Sequence, residues 1–317
     1  MQANMGMAGE FRCVVKRGDG STKLDTGYQK NLILNQGLDF FGGNNGSDMM
    51  AYCVIGSGNS QPVYTQNKLD TAVLGVSGTD SSTKNDYNAA TDGNLYKTNK
   101  VRKYSFTGLN NVNISEVGIA SSYSNTTTYY LCTRALIKDS SGNPTTITVL
   151  PGEQLDIYYK LWAVYDTTDK SGTINLLDGA GASVAYNYKA RLANVGSTSY
   201  FLSPYVIVRP ASASNKYQGV YSGDLVAITS YPDSRLYETT NTTMVTYVPG
   251  SYKRTAQLPF AVTEANGSIR TVLFDAGIGA WQIRFGSVAN DSPITKTNTQ
   301  TLSIPIEISW GRYEGAL

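Results

Sequence analysis

Thr301-Leu-Ser-Ile-Pro-Ile-Glu-Ile-Ser-Trp310 sets Leu302, Ile304, Ile306, Ile308 and Trp310 at every second position. A two-residue period sends successive side chains to opposite faces, so the stretch reads as a half-buried β-strand. The same period runs through Leu155, Ile157, Tyr159 and Leu161, which alternate with Asp156, Tyr158 and Lys160. Working outward, strand-like runs recur at Phe11–Lys16, Met50–Ile55, Val101–Phe106, Asn113–Ala120, Thr127–Ile137 and Thr146–Leu150. A second series is expected at Val184–Ala193, Tyr200–Val208, Gly223–Ser230, Met244–Val248, Tyr252–Phe260, Ile269–Phe274 and Trp281–Phe285. Many short strands at even spacing, with turn-forming clusters between them, predict a mainly β fold. Two β-sandwich or jelly-roll-like domains are the expected architecture.

One stretch breaks the period. Phe11–Lys16, the turn Arg17-Gly-Asp-Gly-Ser-Thr22 and a return through Lys23–Lys30 outline a hairpin. Asn31-Leu-Ile-Leu-Asn-Gln-Gly-Leu-Asp-Phe-Phe41 follows it. A short helix over Asn35–Phe41 would set Leu38 and Phe41 on one face, with Asn31 or Asn35 as N-cap and Gly42-Gly43 as stop. Residues 75–98, rich in Gly, Ser, Thr, Asp and Asn, read as an exposed loop.

The polar run Asp166-Thr-Thr-Asp-Lys-Ser171 divides the chain into expected domains at 1–168 and 169–317. The two parts echo each other. Pro144 through Leu155-Asp-Ile-Tyr-Tyr-Lys-Leu to Trp162 resembles Pro293 through Leu302-Ser-Ile-Pro-Ile-Glu-Ile to Trp310. A duplicated domain would produce this, and so would independent convergence of alternating strands.

Composition narrows the function classes. Of 317 residues only 16% are charged, while 23 are Tyr, a mixture suited to antiparallel strands and tight turns rather than long amphipathic helices. The formal net charge of +2 is too balanced to imply a nucleic-acid partner. The local basic cluster Lys97, Lys100, Arg102 and Lys103 is read as a solvated strand edge. Three widely spaced cysteines, Cys13, Cys53 and Cys132, fit neither a disulfide framework nor a zinc motif. Each is expected to be a small buried hydrophobe in a chain folded in a reducing cytosol. No signal pattern and no run of roughly 18 apolar residues is present, so neither independent secretion nor a membrane span is expected.

Histidine is absent altogether, which removes Ser-His-Asp and Cys-His nucleophilic systems and His-ligated metals. Paired carboxylates of the kind that cleave glycosidic bonds are the enzymatic option left. The candidates are Glu116, Glu153, Asp156, Asp224, Asp233, Glu238, Glu264 and Asp275. Glu153, in Pro-Gly-Glu-Gln-Leu, reads instead as a turn cap before a strand. Gly56-Ser-Gly lacks the third glycine and following helix of a phosphate loop, and Arg17-Gly-Asp reads as a hairpin tip. Tyr123, Tyr129, Tyr130 and the Tyr231–Tyr237 segment could stack on sugars, contact subunits or simply serve as strand residues. No catalytic, metal-binding or cofactor-binding residue is expected, and no cofactor.

Taken in order, several segments resemble a group of tailed-bacteriophage virion proteins described as tail or tail-fibre components. They are Asn31-Leu-Ile-Leu-Asn-Gln-Gly-Leu-Asp, Cys53-Val-Ile-Gly-Ser-Gly-Asn, Pro62, Leu69, Arg134-Ala-Leu-Ile-Lys-Asp, Gly142 through Tyr159, and Ile308-Ser-Trp-Gly-Arg312. The resemblance implies a virion location, reached after folding in the host bacterial cytoplasm. It also implies a structural role in tail, baseplate or fibre attachment, with other virion proteins and further copies of the chain, as a trimer or ring, for partners. Two alternatives accompany it. One is a protein that binds host-surface glycan through the loop Gly75–Tyr96. The other is a capsid decoration or head-fibre protein.

Overall fold

The computed structural model describes residues 2–43, 48–78, 85–178, 180–196, 218–239, 242–276 and 278–317. It is mainly β, with 55% of residues in strands and 3% in one helix. In chain order the first elements are β1 (Gln2–Lys16), β2 (Thr22–Asp25), β3 (Gln29–Ile33), α1 (Asn35–Gly43), β4 (Tyr52–Gly56) and β5 (Ala72–Ser77). Next come β6 (Asn85–Asp92), β7 (Leu95–Phe106), β8 (Val112–Ile114), β9 (Glu116–Asn125), β10 (Thr128–Leu131), β11 (Thr133–Leu136), β12 (Ile147–Val149) and β13 (Gln154–Asp166). The remainder are β14 (Lys170–Leu177), β15 (Ser183–Leu192), β16 (Gly219–Tyr221), β17 (Arg235–Glu238), β18 (Thr243–Met244), β19 (Lys253–Phe260), β20 (Gly267–Ile269), β21 (Thr271–Asp275), β22 (Ala280–Ser287), β23 (Ile294–Lys296) and β24 (Leu302–Arg312).

Two compact units emerge. The first comprises Gly6–Asp86, Thr98–Val164 and Gly311–Leu317; the second comprises Met1–Met5, Tyr87–Lys97 and Tyr165–Trp310. In the first unit the sheet runs β1-β3-β11-β9-β4-β5, with β13 on the other edge of β1 and β7 beside β13. Its core joins Leu34, Val54, Leu69, Ala120, Tyr129 and Leu131, with Leu38, Phe40 and Phe41 of α1 buried as well. The Leu, Val and Phe side chains among them each contribute roughly 1.5–3 kcal/mol by leaving water. β24 alternates as its sequence demands, burying Ile304, Ile306, Ile308 and Trp310.

The second unit repeats the plan. Its sheet runs β14-β15-β22-β21-β16-β17, matching β1-β3-β11-β9-β4-β5 strand for strand. A two-stranded ribbon accompanies each, β8–β12 in the first and β20–β23 in the second. A long strand pair closes each, β7 with β13 and β19 with β24. Individual hydrogen bonds recur too. Leu34 N–H donates to Cys132 O (3.0 Å) as Ala193 donates to Ala280 (2.9 Å), and Ser57 to Thr71 (3.0 Å) as Ser222 to Ser234 (3.0 Å). Ile137 donates to Ser115 and Phe285 to Arg270, both at 2.8 Å.

Several expectations need correction. β1 begins nine residues before Phe11, because its alternation of buried Met5, Met7 and Gly9 continues the pattern through small residues that carry little strand signal. The run Thr127–Ile137 is two strands interrupted at Cys132, whose N–H still donates to Ile119 O (2.7 Å) while its carbonyl accepts from Leu34 N–H (3.0 Å). Gly223–Ser230 is an irregular loop; the strand is Gly219–Tyr221 just before it. Residues 75–98 are mostly strand, holding the end of β5, all of β6 and the start of β7; residues 79–84 lie outside the described set, as does Tyr200–Val208. Asn35 opens α1, but its Oδ1 accepts from Arg312 Nη2 (2.6 Å) instead of capping the helix.

Candidate functional site

Glu116 begins β9 and is fully buried, so its charge requires partners. Oε1 accepts from the backbone N–H of Gly58 (3.0 Å) and Thr71 (2.9 Å). Oε2 accepts from Asp70 N–H (3.2 Å) and Arg134 Nε (2.9 Å). Arg134, on β11 and also fully buried, reaches the Asp70 carboxylate (2.8 Å), Ser60 O (3.1 Å) and Ser60 Oγ (3.3 Å). Burial pushes the Asp70 carboxyl upward, but hydrogen bonds from Ser60 and the Arg134 charge outweigh it and hold the group below its usual value. The pair therefore staples the loop between β4 and β5 to the sheet. Four donors converge on one carboxylate, leaving no lone pair positioned to act as a base.

The second unit solves the same problem without a fully buried ion pair. Pairing of Leu32 with Arg134 corresponds to pairing of Arg191 with Gln282, and Gln282 is fully buried. Its Oε1 accepts from Val226 N–H (2.9 Å), while Nε2 donates to Leu192 O (3.1 Å) and Val226 O (3.0 Å). Thr271, also buried, stands where Glu116 stands. Arg191 adds a bond from Nη1 to Val226 O (3.0 Å), and its Nε pairs with Asp169 at 2.7 Å.

The other carboxylates serve comparable tasks. Glu153 accepts from Leu150 N–H (2.9 Å) and pairs with Lys23 (2.8 Å), which makes it the turn cap its sequence context implies. Buried Asp156 accepts from Ser105 Oγ (2.7 Å) and Gln154 Nε2 (2.6 Å) and faces Lys103 (3.0 Å) and Lys16 (3.3 Å). Burial pushes its carboxyl up, yet the Ser105 and Lys103 contacts prevail and lower it. Asp224 pairs with Arg284 (2.9 Å) and Glu238 with Arg235 (2.6 Å); Glu264 accepts from Ala261 N–H (2.9 Å) and Tyr237 Oη (2.8 Å). Asp275 is buried on β21, and the Asp233 backbone carbonyl accepts from Gly223 (3.2 Å).

The basic cluster is a correction. Lys97 and Arg102 are each only 4% exposed, so they do not form a solvated edge. Arg102 reaches inward to Asp48 and to Met50 O (2.8 Å), because β7 lies within its sheet beside β13 and β6. Of the tyrosines, Tyr52, Tyr123 and Tyr129 form a ladder with centroids 6.1 Å apart, and Lys68 Nζ sits 3.8 Å above the Tyr129 ring. Tyr130 Oη donates to Gln36 O (2.8 Å). These rings pack the fold. Cys13, Cys53 and Cys132 are unpaired and buried, and burial pushes all three thiols up, that of Cys132 to about 12.

Arg134 is the participant that sequence reasoning overlooked as a partner for Glu116. Its signal was available: an arginine inside the apolar run Leu131–Ile137 must find a counter-charge if the run is buried. Among the described residues no group of three or more Cys, Asp or Glu is placed to hold a metal ion, and no helix is long and apolar enough to cross a membrane. Comparison of the chain with protein-family models, with curated proteins and with solved structures gives no match.

Proposed function

We propose that the protein is a non-enzymatic structural subunit of a tailed-phage particle, placed in the tail, baseplate or fibre-attachment region. The observation that carries this reading is the use made of buried polar groups. Glu116 with Arg134, and Gln282 in the corresponding place, hold long inter-strand loops to β frames. A protein that invests buried charge in loop rigidity suits a load-transmitting part. The order of segments resembling tail and tail-fibre proteins supports the same reading, and a sandwich-like arrangement within each unit would serve it.

The test is direct. Mass spectrometry of purified virions, followed by separation of heads from tails, is expected to find the chain in the tail fraction. Light scattering on the purified protein is expected to give a trimer or a ring. Recovery in the head fraction would replace this reading with capsid decoration. Absence from virions together with a monomer in solution would overturn it.

A further inference from the structure

β14 closes its sheet, yet nothing in it protects an edge. It pairs with β15 from Lys170↔Ala190 to Leu177↔Ser183 without a register shift. Among the described residues nothing pairs with its other side. Ser171-Gly-Thr-Ile-Asn-Leu-Leu177 holds no charge and no proline, and Leu177 is 74% exposed. Edges of soluble proteins are ordinarily blunted by charges, prolines or bulges, because their free N–H and C=O groups are a template for another strand. At the far ends of the two sheets β5 and β17 follow that rule. The ladders that hold them are bulged, at Ile55/Gly56 and at Val220/Tyr221.

The first unit shows what such an edge takes. β1, the counterpart of β14, pairs with β3 on one side. On its other side it pairs with β13, antiparallel from Gly6↔Val164 to Lys16↔Gln154. The position that β13 fills beside β1 is open beside β14. The direction of the free groups follows from the hairpin, in which Asp178 N–H donates to Ala182 O (2.8 Å). Alternation along an antiparallel ladder then turns Lys170, Gly172, Ile174 and Leu176 toward β15. It leaves the N–H and C=O of Ser171, Thr173, Asn175 and Leu177 facing outward.

We propose that this edge pairs with β14 of a second copy of the chain, antiparallel across a two-fold axis at Ile174. Charge selects both the occupant and the register. With Ile174 on the axis, Lys170 stands opposite the partner's Asp178 at each end of the ladder, and every residue between them is neutral. A parallel, in-register pairing would set lysine beside lysine and aspartate beside aspartate. Lys170 pairs within its own chain with Asp166, but both side chains are about half exposed, so that bond is worth little and yields readily. Thr173 exchanges both backbone hydrogen bonds with the partner's Asn175, and Ser171 with the partner's Leu177. Ile174 meets its own copy as a non-hydrogen-bonded pair, with about 4.5 Å between Cα atoms. A two-fold contact of this kind joins any trimer or ring of the chain into a pair of them. It does not depend on the tail assignment, which the separation of heads from tails tests by itself.

The test uses the full chain. In wild-type protein, hydrogen-exchange NMR is expected to find the N–H groups of Ser171, Thr173, Asn175 and Leu177 protected, where a free edge would exchange rapidly. That readout needs no variant. The double variant Thr173→Lys, Asn175→Lys changes two exposed residues and sets like charges across the axis. It is expected to halve the mass seen by light scattering while the circular-dichroism spectrum stays unchanged. Ile174→Cys under mild oxidation is expected to form a covalent dimer, since the paired Cα atoms lie within disulfide reach. Asn187→Cys, exposed on β15 one strand inward, is expected to form none. Rapid exchange of the four amides, an unchanged mass in the lysine variant, a folded Ile174→Cys protein that stays uncross-linked, or equal cross-linking of both cysteine variants would each overturn the proposal.

Discussion

Arg134→Met removes the guanidinium from β11 and keeps a side chain of similar reach. Glu116 then loses its cationic partner and retains three peptide N–H donors, from Gly58, Thr71 and Asp70. Removing one partner of a buried ion pair costs about 3–5 kcal/mol. The retained N–H donors place this case near the lower bound, about 3 kcal/mol. Asp70, whose side chain is 30% exposed, rehydrates at little cost. At about 2–4 °C per kcal/mol for a unit of this size, the melting temperature should fall by about 6–12 °C. Urea unfolding followed by fluorescence reads the stability change, and limited proteolysis reads release of the β4–β5 loop. The double variant Glu116→Gln, Arg134→Met removes both charges of the pair and should be more stable than Arg134→Met alone. A loss below about 1 kcal/mol in the single variant, or a double variant less stable than the single, would refute the account of this pair.

Gly37→Ala sets two effects against each other. Helix propensity favours alanine by about 1 kcal/mol, but a Cβ there would lie 2.2 Å from the Cys132 carbonyl oxygen, a backbone atom that cannot swing away. Net destabilisation of about 1–3 kcal/mol is expected in denaturant titrations. The three buried thiols should resist a disulfide reagent in the native protein and react together in guanidinium, as thiol counting will show. The Arg12 hydrogen bond, followed by opposing burial, the Gly27 N–H and the Arg12 charge, holds the Asp25 carboxyl at about 2, below its ordinary 3.8. A depressed carboxylate stabilises above its unfolded value and loses that contribution as pH falls through the folded one. The stability gap between wild type and Arg12→Gln, small because both side chains are about a third exposed, should therefore close between pH 4 and pH 2 in urea midpoints.

Much of the β framework was legible because burial imposes a period. Leu302–Trp310 and Leu155–Leu161 alternate cleanly, and both are central strands of the observed sheets. What escaped had weaker patterns for identifiable reasons. Gln2–Glu10 passes through Gly6, Ala8 and Gly9, and Gly9 is required because a Cβ would lie 2.3 Å from the Tyr159 hydroxyl. Lys170–Leu177 is an edge strand whose exposed, polar residues resemble a linker. The candidate carboxylates were found, but their partners were not, since Glu116 meets residues brought near by strand order and not by spacing. The parting of β1 from β3 after Gly9↔Asn31, where Leu32 and Ile33 turn to pair with β11, had no linear signature at all.

Two sheets with one strand order within a single chain create a hazard during folding, since β11 could be captured by β21, or β22 by β9, with backbone ladders intact. The unlike staples discriminate between the outcomes. With β11 against β21, Arg134 would be buried beside Thr271, which carries no negative charge. The native pairing of β21 with β22 asks for no such partner, since Thr271 and Gln282 are both neutral. Capture of β11 by β21 therefore strands a charge in the interior at a cost of several kcal/mol, while pairing with β9 satisfies it. The buried ion pair thus acts as an address label, returning β11 to its own sheet.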